Sequence, residues 1–223
     1  MNRVHRSIAF LLVLIFIPIA LSIQKNAENS GVQTTNAGNG CREAQTAQNE
    51  QDQVVQMLNC GPKGVDFAAE TLKNNSRARL REVAAYIIGE YGNQQLAGVV
   101  AGSLNDSSEQ VRRAALTALQ KIINPEALKL GPSGDSLVLP PTGSLSPNDG
   151  ELCSVLQPLF KDRSPLVRAP AAETDGWLRG SSSIPSLQEL LHDPIESVRF
   201  RASHALQLLT GTTPNIINLE DVV

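Results

Sequence analysis

Residues 105–119, NDSSEQVRRAALTAL, read as a polar turn running into a helix, and the same outline returns three more times along the chain. Anchored on an apolar residue followed by arginine, the four copies are Leu80-Arg81, Val111-Arg112, Val167-Arg168 and Val198-Arg199, at spacings of 31, 56 and 31. The middle gap is one period with 25 residues inserted. A fixed period of this size marks an array of equal units, each a piece of supersecondary structure.

Each copy carries an Asx residue six positions before its arginine: Asn75, Asp106, Asp162 and Asp193. A side-chain oxygen there is placed to cap the following helix by accepting from its free amides, and Asp106-x-x-Glu109 and Asp193-x-x-Glu196 approach the capping-box spacing. Pro165 and Pro194 fall where a first helical turn tolerates a missing N–H. Upstream of each cap, apolar residues recur at helical spacing: Val65, Ala68, Ala69 and Leu72; Leu96, Val99, Val100 and Leu104; Leu152, Val155, Leu156, Leu159 and Phe160; Ile184, Leu187, Leu190 and Leu191. Downstream they recur as Ala84, Ile88 and Tyr91, as Ala115, Leu119 and Ile122, and as Ala202, Leu206 and Leu209. Two amphipathic helices per period follow. One such hairpin cannot bury its apolar face alone, whereas stacked neighbours share a continuous core. The sequence therefore predicts an all-α chain of about four helical hairpins, over residues 63–92, 93–123, 151–180 and 181–211, with a capping helix over 42–62.

The segment LREVAAYIIGEYG, residues 80–92, resembles the second helix of HEAT repeats of the short, PBS-lyase HEAT-like variety, whose pattern is V-R-x-x-A-A-x-A-L-G-x-I-G after an Asp-containing turn. The resemblance covers about residues 63–211 and implies an α-solenoid. It also implies a structural ladder between neighbouring repeats, made by each turn Asp and the arginine after it. Carried over, this assigns Asp106 with Arg112, Asp162 with Arg168 and Asp193 with Arg199, while Asn75 with Arg81 departs from the charge pattern. These arginines are accordingly expected to be structural. Some HEAT-like proteins are di-iron hydroxylases that hold metal through His-Glu pairs, yet His5, His192 and His204 are the only histidines here and none precedes a Glu. Another branch handles bilin pigments, and no residue pattern here marks a bilin site. No metal and no cofactor are expected.

The N-terminus sets the expected compartment. Arg3, His5 and Arg6 precede an uncharged 14-residue run, Ile8 to Leu21, that ends in Pro18, Ala20 and Ser22. This basic, apolar, small-residue order predicts a secretory signal cleaved after Ser22; the alternative is an uncleaved single-pass anchor, for which the run is shorter than the ~20 residues of a bilayer span. No cysteine follows the run at a lipoprotein position. Loss of Arg3 and Arg6 with the signal takes the formal net charge from −3 to −5, which argues against nucleic acid, since binding to it rests on clustered Lys and Arg. Residues 23–41 read as a flexible linker, 124–150 as a Pro-, Gly- and Ser-rich loop insertion, and 212–223 as a C-terminal tail.

Three cysteines leave at least one unpaired in a monomer. Were residues 43–58 one straight helix, Cys41 and Cys60 would lie roughly 25 Å apart, so pairing them requires a break in that helix. Cys153 reads as a small apolar residue of a helix.

Two motifs suggest chemistry. The insertion contains Gly134-Asp-Ser136-Leu137, the letters of a lipolytic hydrolase family, but Ser136 sits among Pro and Gly and no Asp-x-x-His occurs anywhere to supply a positioned base. The third repeat places Pro170 inside its second helix and Asp175 where the other copies have Ile88, Leu119 and Leu206, so a bend there and a donor or water for Asp175 are expected. Asp175 and Trp177 are the candidates for a ligand pocket.

Otherwise a surface remains. The sixth residue after each anchor falls away from the core, giving the row Tyr86, Thr117, Glu173 and His204, flanked by Arg113, Phe200 and Trp177. In related solenoids the second helices line a concave binding face. The reading is an exported, non-enzymatic scaffold that takes a protein or peptide partner on this face; a lyase-type enzyme or enzyme accessory with a site near the third repeat is the alternative. A membrane is expected to be touched only through residues 8–21, where the signal is retained.

Overall fold

The computed structural model describes residues 40–124 and 149–212, which fall within one compact unit, Ala37–Val223. The expected signal or anchor, the linker, nearly all of the insertion and the tail from residue 213 lie outside the described residues. Among the described residues the secondary structure is helical throughout. The helices are α1 (Gly40–Thr46), α2 (Glu50–Asn59), α3 (Val65–Asn74), α4 (Ala78–Tyr91), α5 (Ala97–Gly102), α6 (Glu109–Ile123), α7 (Asp149–Leu156), α8 (Pro165–Trp177), α9 (Ile184–Leu190) and α10 (Glu196–Thr210). Short 3₁₀ turns at Gln157–Lys161 and Ser181–Ser183, among others, lengthen or introduce the first helices.

The pairs α3–α4, α5–α6, α7–α8 and α9–α10 are four successive hairpins, and the second helices pack on one another along the stack. Their anchors Leu80, Val111, Val167 and Val198 are fully buried, as are Ile88, Leu119 and Leu156. Each such side chain contributes about 1.5–3 kcal/mol by leaving water, which a hairpin obtains only against its neighbour. Tyr91, expected inside, is instead half exposed at the last position of α4.

The capping helix is not a single helix. Asn49 interrupts it, its side-chain oxygen accepting from the Asp52 N–H at 2.8 Å as the N-cap of α2. The chain doubles back there, so that Cys41 and Cys60 pair as a disulfide with Cα atoms 5.2 Å apart. Ala44 of α1 is buried as a result.

The Asx residues also sit differently from the capping geometry expected of them. The second helices α4, α6, α8 and α10 are N-capped by Arg77, Ser108, Ser164 and Ile195, two residues after each Asx. Each Asx accepts the N–H of that N-cap residue, at 2.8–2.9 Å, and so closes the turn rather than the helix. Glu109 and Glu196 are then the first residues of their helices, too early for a capping box. Pro165 does occupy the first position of α8, while Pro194 precedes its helix.

Helix approach is closest at two places. A Cβ on Gly89 would stand 2.9 Å from Ala118 Cα, and one on Gly176 would stand 2.7 Å from Ala205 Cα, so α4 meets α6, and α8 meets α10, backbone to backbone. Between α6 and α8 the equivalent position is Gln120, whose amide reaches the Pro170 carbonyl at 3.5 Å, and this junction is the less extensive one. Pro170 does not break α8, which runs unbroken from Pro165 to Trp177. Its carbonyl accepts the Thr174 hydroxyl at 2.6 Å.

Candidate functional site

The turn Asp and the second-helix Arg build a ladder along one edge of the stack, with a register of its own. Arg81 of the first hairpin donates through Nε and Nη2 to the Asp106 carboxylate of the second, at 2.6 and 2.8 Å. Arg112 holds Asp162 at 2.7 and 3.1 Å, and Arg168 holds Asp193 at 2.7 and 2.9 Å. Within its own hairpin each arginine bonds the backbone: Arg112 Nη1, for example, donates to the carbonyls of Asp106 and Ser107 at 2.8 and 3.2 Å. The pairings Asp106 with Arg112, Asp162 with Arg168 and Asp193 with Arg199 are thus carbonyl contacts, and the charged rungs join each arginine to the next hairpin's Asp. This register explains Asn75. The second helix of the preceding α1–α2 pair, Glu50–Asn59, carries no arginine to supply a rung, so the Asn75 side chain has only the turn to close, which an amide oxygen does as well as a carboxylate.

Burial alone would raise the three carboxyl groups. The arginine and backbone hydrogen bonds outweigh it, and Asp106, Asp162 and Asp193 all lie below their ordinary pKa. A cleft of about 400 Å³ opens beside the first rung, lined by Leu72, Asn75, Arg81, Val99 and Asp106 among others. Arg81 has every nitrogen bonded to a protein acceptor there and offers that cleft no free charge.

The face of the second helices divides the expected surface row. Tyr86 is 52 % and Phe200 51 % exposed, Thr117 is exposed, and Arg113 and His204 are half-buried. Glu173 and Trp177, at 6 % and 5 %, belong to the interior, which corrects their placing on the surface. The reason is the Gly176–Ala205 contact: positions 173 and 177 lie a helical turn apart on the side of α8 that α10 covers. There Glu173 is ion-paired with Arg201 of α10. A matching pair, Lys121 with Glu90, ties α6 to α4, and Lys121 Nζ also lies 5.5 Å from the Tyr86 ring centroid. Sequence reasoning missed both pairs, although Glu90 and Lys121 stand one period of 31 apart with opposite charge. His204 is pushed below its ordinary pKa by burial, against the pull of Glu173, and its Nδ1 has no hydrogen-bond partner; nor has Trp177 Nε1.

Asp175 lies wholly inside the third hairpin. Its Oδ1 accepts from Ser183 Oγ at 2.9 Å, Ser183 accepts from Gln157 Nε2 at 3.0 Å, and the Cys153 thiol also bonds the carboxyl. Oδ2 is buried without a partner, and burial pushes the group up to about 6. Gly180 leaves room for this cluster, since a Cβ there would fall 2.7 Å from Cys153 Sγ and 2.9 Å from Asp175. Asp175, one of the two residues expected to form a ligand pocket, therefore lies in a closed polar cluster, and Trp177, the other, is buried outside it. Ser136 lies outside the described residues. No group of three His, Cys, Asp or Glu residues is placed to hold a metal among those described, and no described helix is long and apolar enough to cross a membrane. Asn74 and Asn105, on equivalent turns, are both exposed.

Stacked hairpins joined by an Asp–Arg ladder define an α-solenoid of HEAT-like repeats. A family model described as HEAT repeats matches residues 65–130. The fold is similar to a solved structure, the complex of CpcE and CpcF of phycocyanin lyase from Nostoc sp. PCC7120, at TM-score 0.59 and 16 % identity. That match covers 79 % of this chain and 66 % of the other, so the chain spans just under two thirds of the protein it resembles. No curated protein matches the sequence. The match to HEAT repeats lies within residues 65–130, and the described part of the chain is all-helical.

Proposed function

We propose that the protein is an exported scaffold that holds a protein or peptide partner on the face of its second helices, with no reaction of its own. The observation that carries this reading is the pair of exposed aromatic side chains, Tyr86 near one end of that face and Phe200 near the other, with Thr117 and Arg113 between them. Large aromatic side chains and arginine dominate binding energy at protein interfaces. The solved structure similar in fold is itself a complex of two proteins, which favours a protein partner. The Cys41–Cys60 disulfide favours an oxidising compartment and so supports export.

A lyase-type enzyme or enzyme accessory is the second reading, drawing on the same likeness in fold. Its site near the third repeat would need Asp175, which no solvent reaches and whose neighbours bond one another. The scaffold is preferred on that ground.

The test is affinity capture with residues 23–223 from the native host, comparing wild type with Tyr86→Ala/Phe200→Ala and with Gln188→Ala on the opposite, first-helix side. A partner held by wild type and Gln188→Ala but lost by the double variant supports the face; equal retention by all three removes it. Export is tested by sequencing the mature N-terminus, expected at Ile23; intact Met1 in a soluble fraction overturns it.

A further inference from the structure

Three residues before the turn Asx, three of the four hairpins carry a leucine, and Leu72, Leu159 and Leu190 are all buried. The second hairpin has Ser103 at that position. A side chain this much shorter than leucine leaves space unfilled between neighbouring hairpins. The cleft of about 400 Å³ beside the first rung lies there, lined by Gly102 and Ser103 from the second hairpin and by Leu72, Lys73 and Asn75 from the first. A Cβ on Gly102 would meet nothing within 4 Å. The volume falls in the range of small-molecule sites, roughly 300–1,000 Å³. None of Tyr86, Arg113, Thr117 and Phe200 lines the cleft, so it is separate from the face of the second helices.

The charged rung in its wall is self-contained. Asp106 receives Arg81 through both oxygens and the Ser108 N–H through one, and Arg81 has every nitrogen bonded. The Asn75 oxygen accepts the Arg77 N–H, and the Asn74 amide nitrogen is turned to Glu70. Three groups remain, and all of them can donate. Ser103 is only 8 % exposed, yet its hydroxyl bonds nothing among the described residues, whereas a buried polar group is normally satisfied. The Asn75 amide nitrogen is likewise unbonded among them. The Lys73 ammonium is tied only to Glu70, at 3.7 Å between two largely exposed side chains, a contact that holds it weakly.

One available ammonium in the lining, with no free guanidinium beside it, matches a single negative charge, and a hydroxyl and an amide N–H suit the oxygens that carry it. Leu72 and Val99 supply an apolar wall. We infer that this cleft binds an aliphatic monocarboxylate, either a free acid or the C-terminal residue of a peptide, with the carboxylate received by Lys73, Asn75 and Ser103 and the hydrocarbon lying against Leu72 and Val99.

The test follows the methyl resonances of Leu72 and Val99 by NMR in the full chain during titration with 4-methylpentanoate, N-acetyl-leucine and the uncharged 4-methylpentanamide. Saturable shifts with a carboxylate, and binding of the amide weaker by about fivefold or more, are expected. Ser103→Leu, which restores the residue of the other hairpins and fills the cleft, should weaken carboxylate binding at least about tenfold while the urea midpoint stays equal or rises. Lys73→Gln should weaken the acids and leave the amide unchanged. Tighter binding of N-acetyl-leucine than of 4-methylpentanoate assigns the ligand to a chain terminus, and the reverse order to a free acid. No saturable shift with either acid would overturn the inference, as would equal affinity for acid and amide, or undiminished binding by Ser103→Leu. Should Ser103→Leu fail to fold, Ser103→Ala and Lys73→Gln decide: unchanged affinity for both acids in both variants would overturn the site.

Discussion

Arg112 and Asp162 are 50 residues apart, with the insertion between them, yet they meet through the same two parallel hydrogen bonds that join Arg81 to Asp106 only 25 residues away. The ladder therefore passes the insertion without losing register. Its energetic weight lies in how little solvent reaches it: the side chains of Arg112 and Asp162 are 16 % and 8 % exposed.

Removing one partner of this pair leaves the other charged and largely buried. Asp162→Asn or Arg112→Leu should lower unfolding free energy by roughly 2–4 kcal/mol in urea denaturation. Asn75→Asp should change it by less than about 0.5 kcal/mol, because no earlier hairpin among the described residues offers that carboxylate an arginine. A gain of a full rung's worth from Asn75→Asp would show that residue 75 does face an arginine and that the ladder starts one rung earlier.

The two kinds of buried aspartate give opposite pH dependence. Asp106, Asp162 and Asp193 have folded pKa values below the unfolded 3.8, so their stabilisation is present above about pH 4 and is lost as pH falls through the folded values. Asp175 is raised to about 6, so its contribution is full below 3.8 and is lost as pH rises through 6. That difference corresponds to something on the order of 3 kcal/mol. His204, lowered by burial, adds stability as pH rises toward its unfolded value and partly masks the change in wild type. The stability of wild type minus that of Asp175→Asn should accordingly fall between pH 4 and 7 in thermal melts. A constant difference across that range would show that Asp175 does not titrate with folding.

What the sequence made legible was what repeats. Period, hairpins, anchors and the identity of the ladder residues follow from positions that recur in each copy, because each copy meets the same neighbour on either side. The pairing register did not follow: each rung arginine stands six residues after its own turn Asx and 25 or 50 before the next Asp, and only three-dimensional geometry shows that its charged contact is the distant one. Glu173 and Trp177 were misplaced for a related reason. Periodicity places a residue on a side of its own helix and is silent on how near the next helix comes, and that distance here is set by Gly176 against Ala205. The Asp175 cluster joins Cys153 and Gln157, four residues apart on adjoining turns, to Ser183 from the next hairpin, and only the oddity of a carboxylate at a core position pointed toward it.

The close helix contacts predict a contrast among glycines. Gly89→Ala and Gly176→Ala set a methyl group against the backbone of the facing helix and should cost about 1–3 kcal/mol. Gly98→Ala, in α5 with open space around it, should stabilise by up to about 1 kcal/mol through helix propensity. Urea midpoints of the three variants check the ordering.

The disulfide should matter most at the N-terminal end. Reduction, or Cys41→Ser, is expected to remove about 2–4 kcal/mol and to abolish hydrogen-exchange protection in α1, while the protection of α6 to α10 is retained. Protection of α1 that survives reduction would mean that packing of Ala44 alone holds it.

The junction between α6 and α8 has a mechanical consequence. Two hairpin pairs are each fastened by a Gly–Ala backbone contact and by a lysine or arginine paired with glutamate, whereas across the middle the second helices meet through Gln120 and a proline carbonyl. Pulled along the stacking direction, such a chain carries its load through unequal springs in series, and the softest determines where it yields. Here that is the joint at which the insertion emerges, so tension applied across the stack would part it into two halves of two hairpins each, with the Arg112–Asp162 rung the last strand of the seam to break.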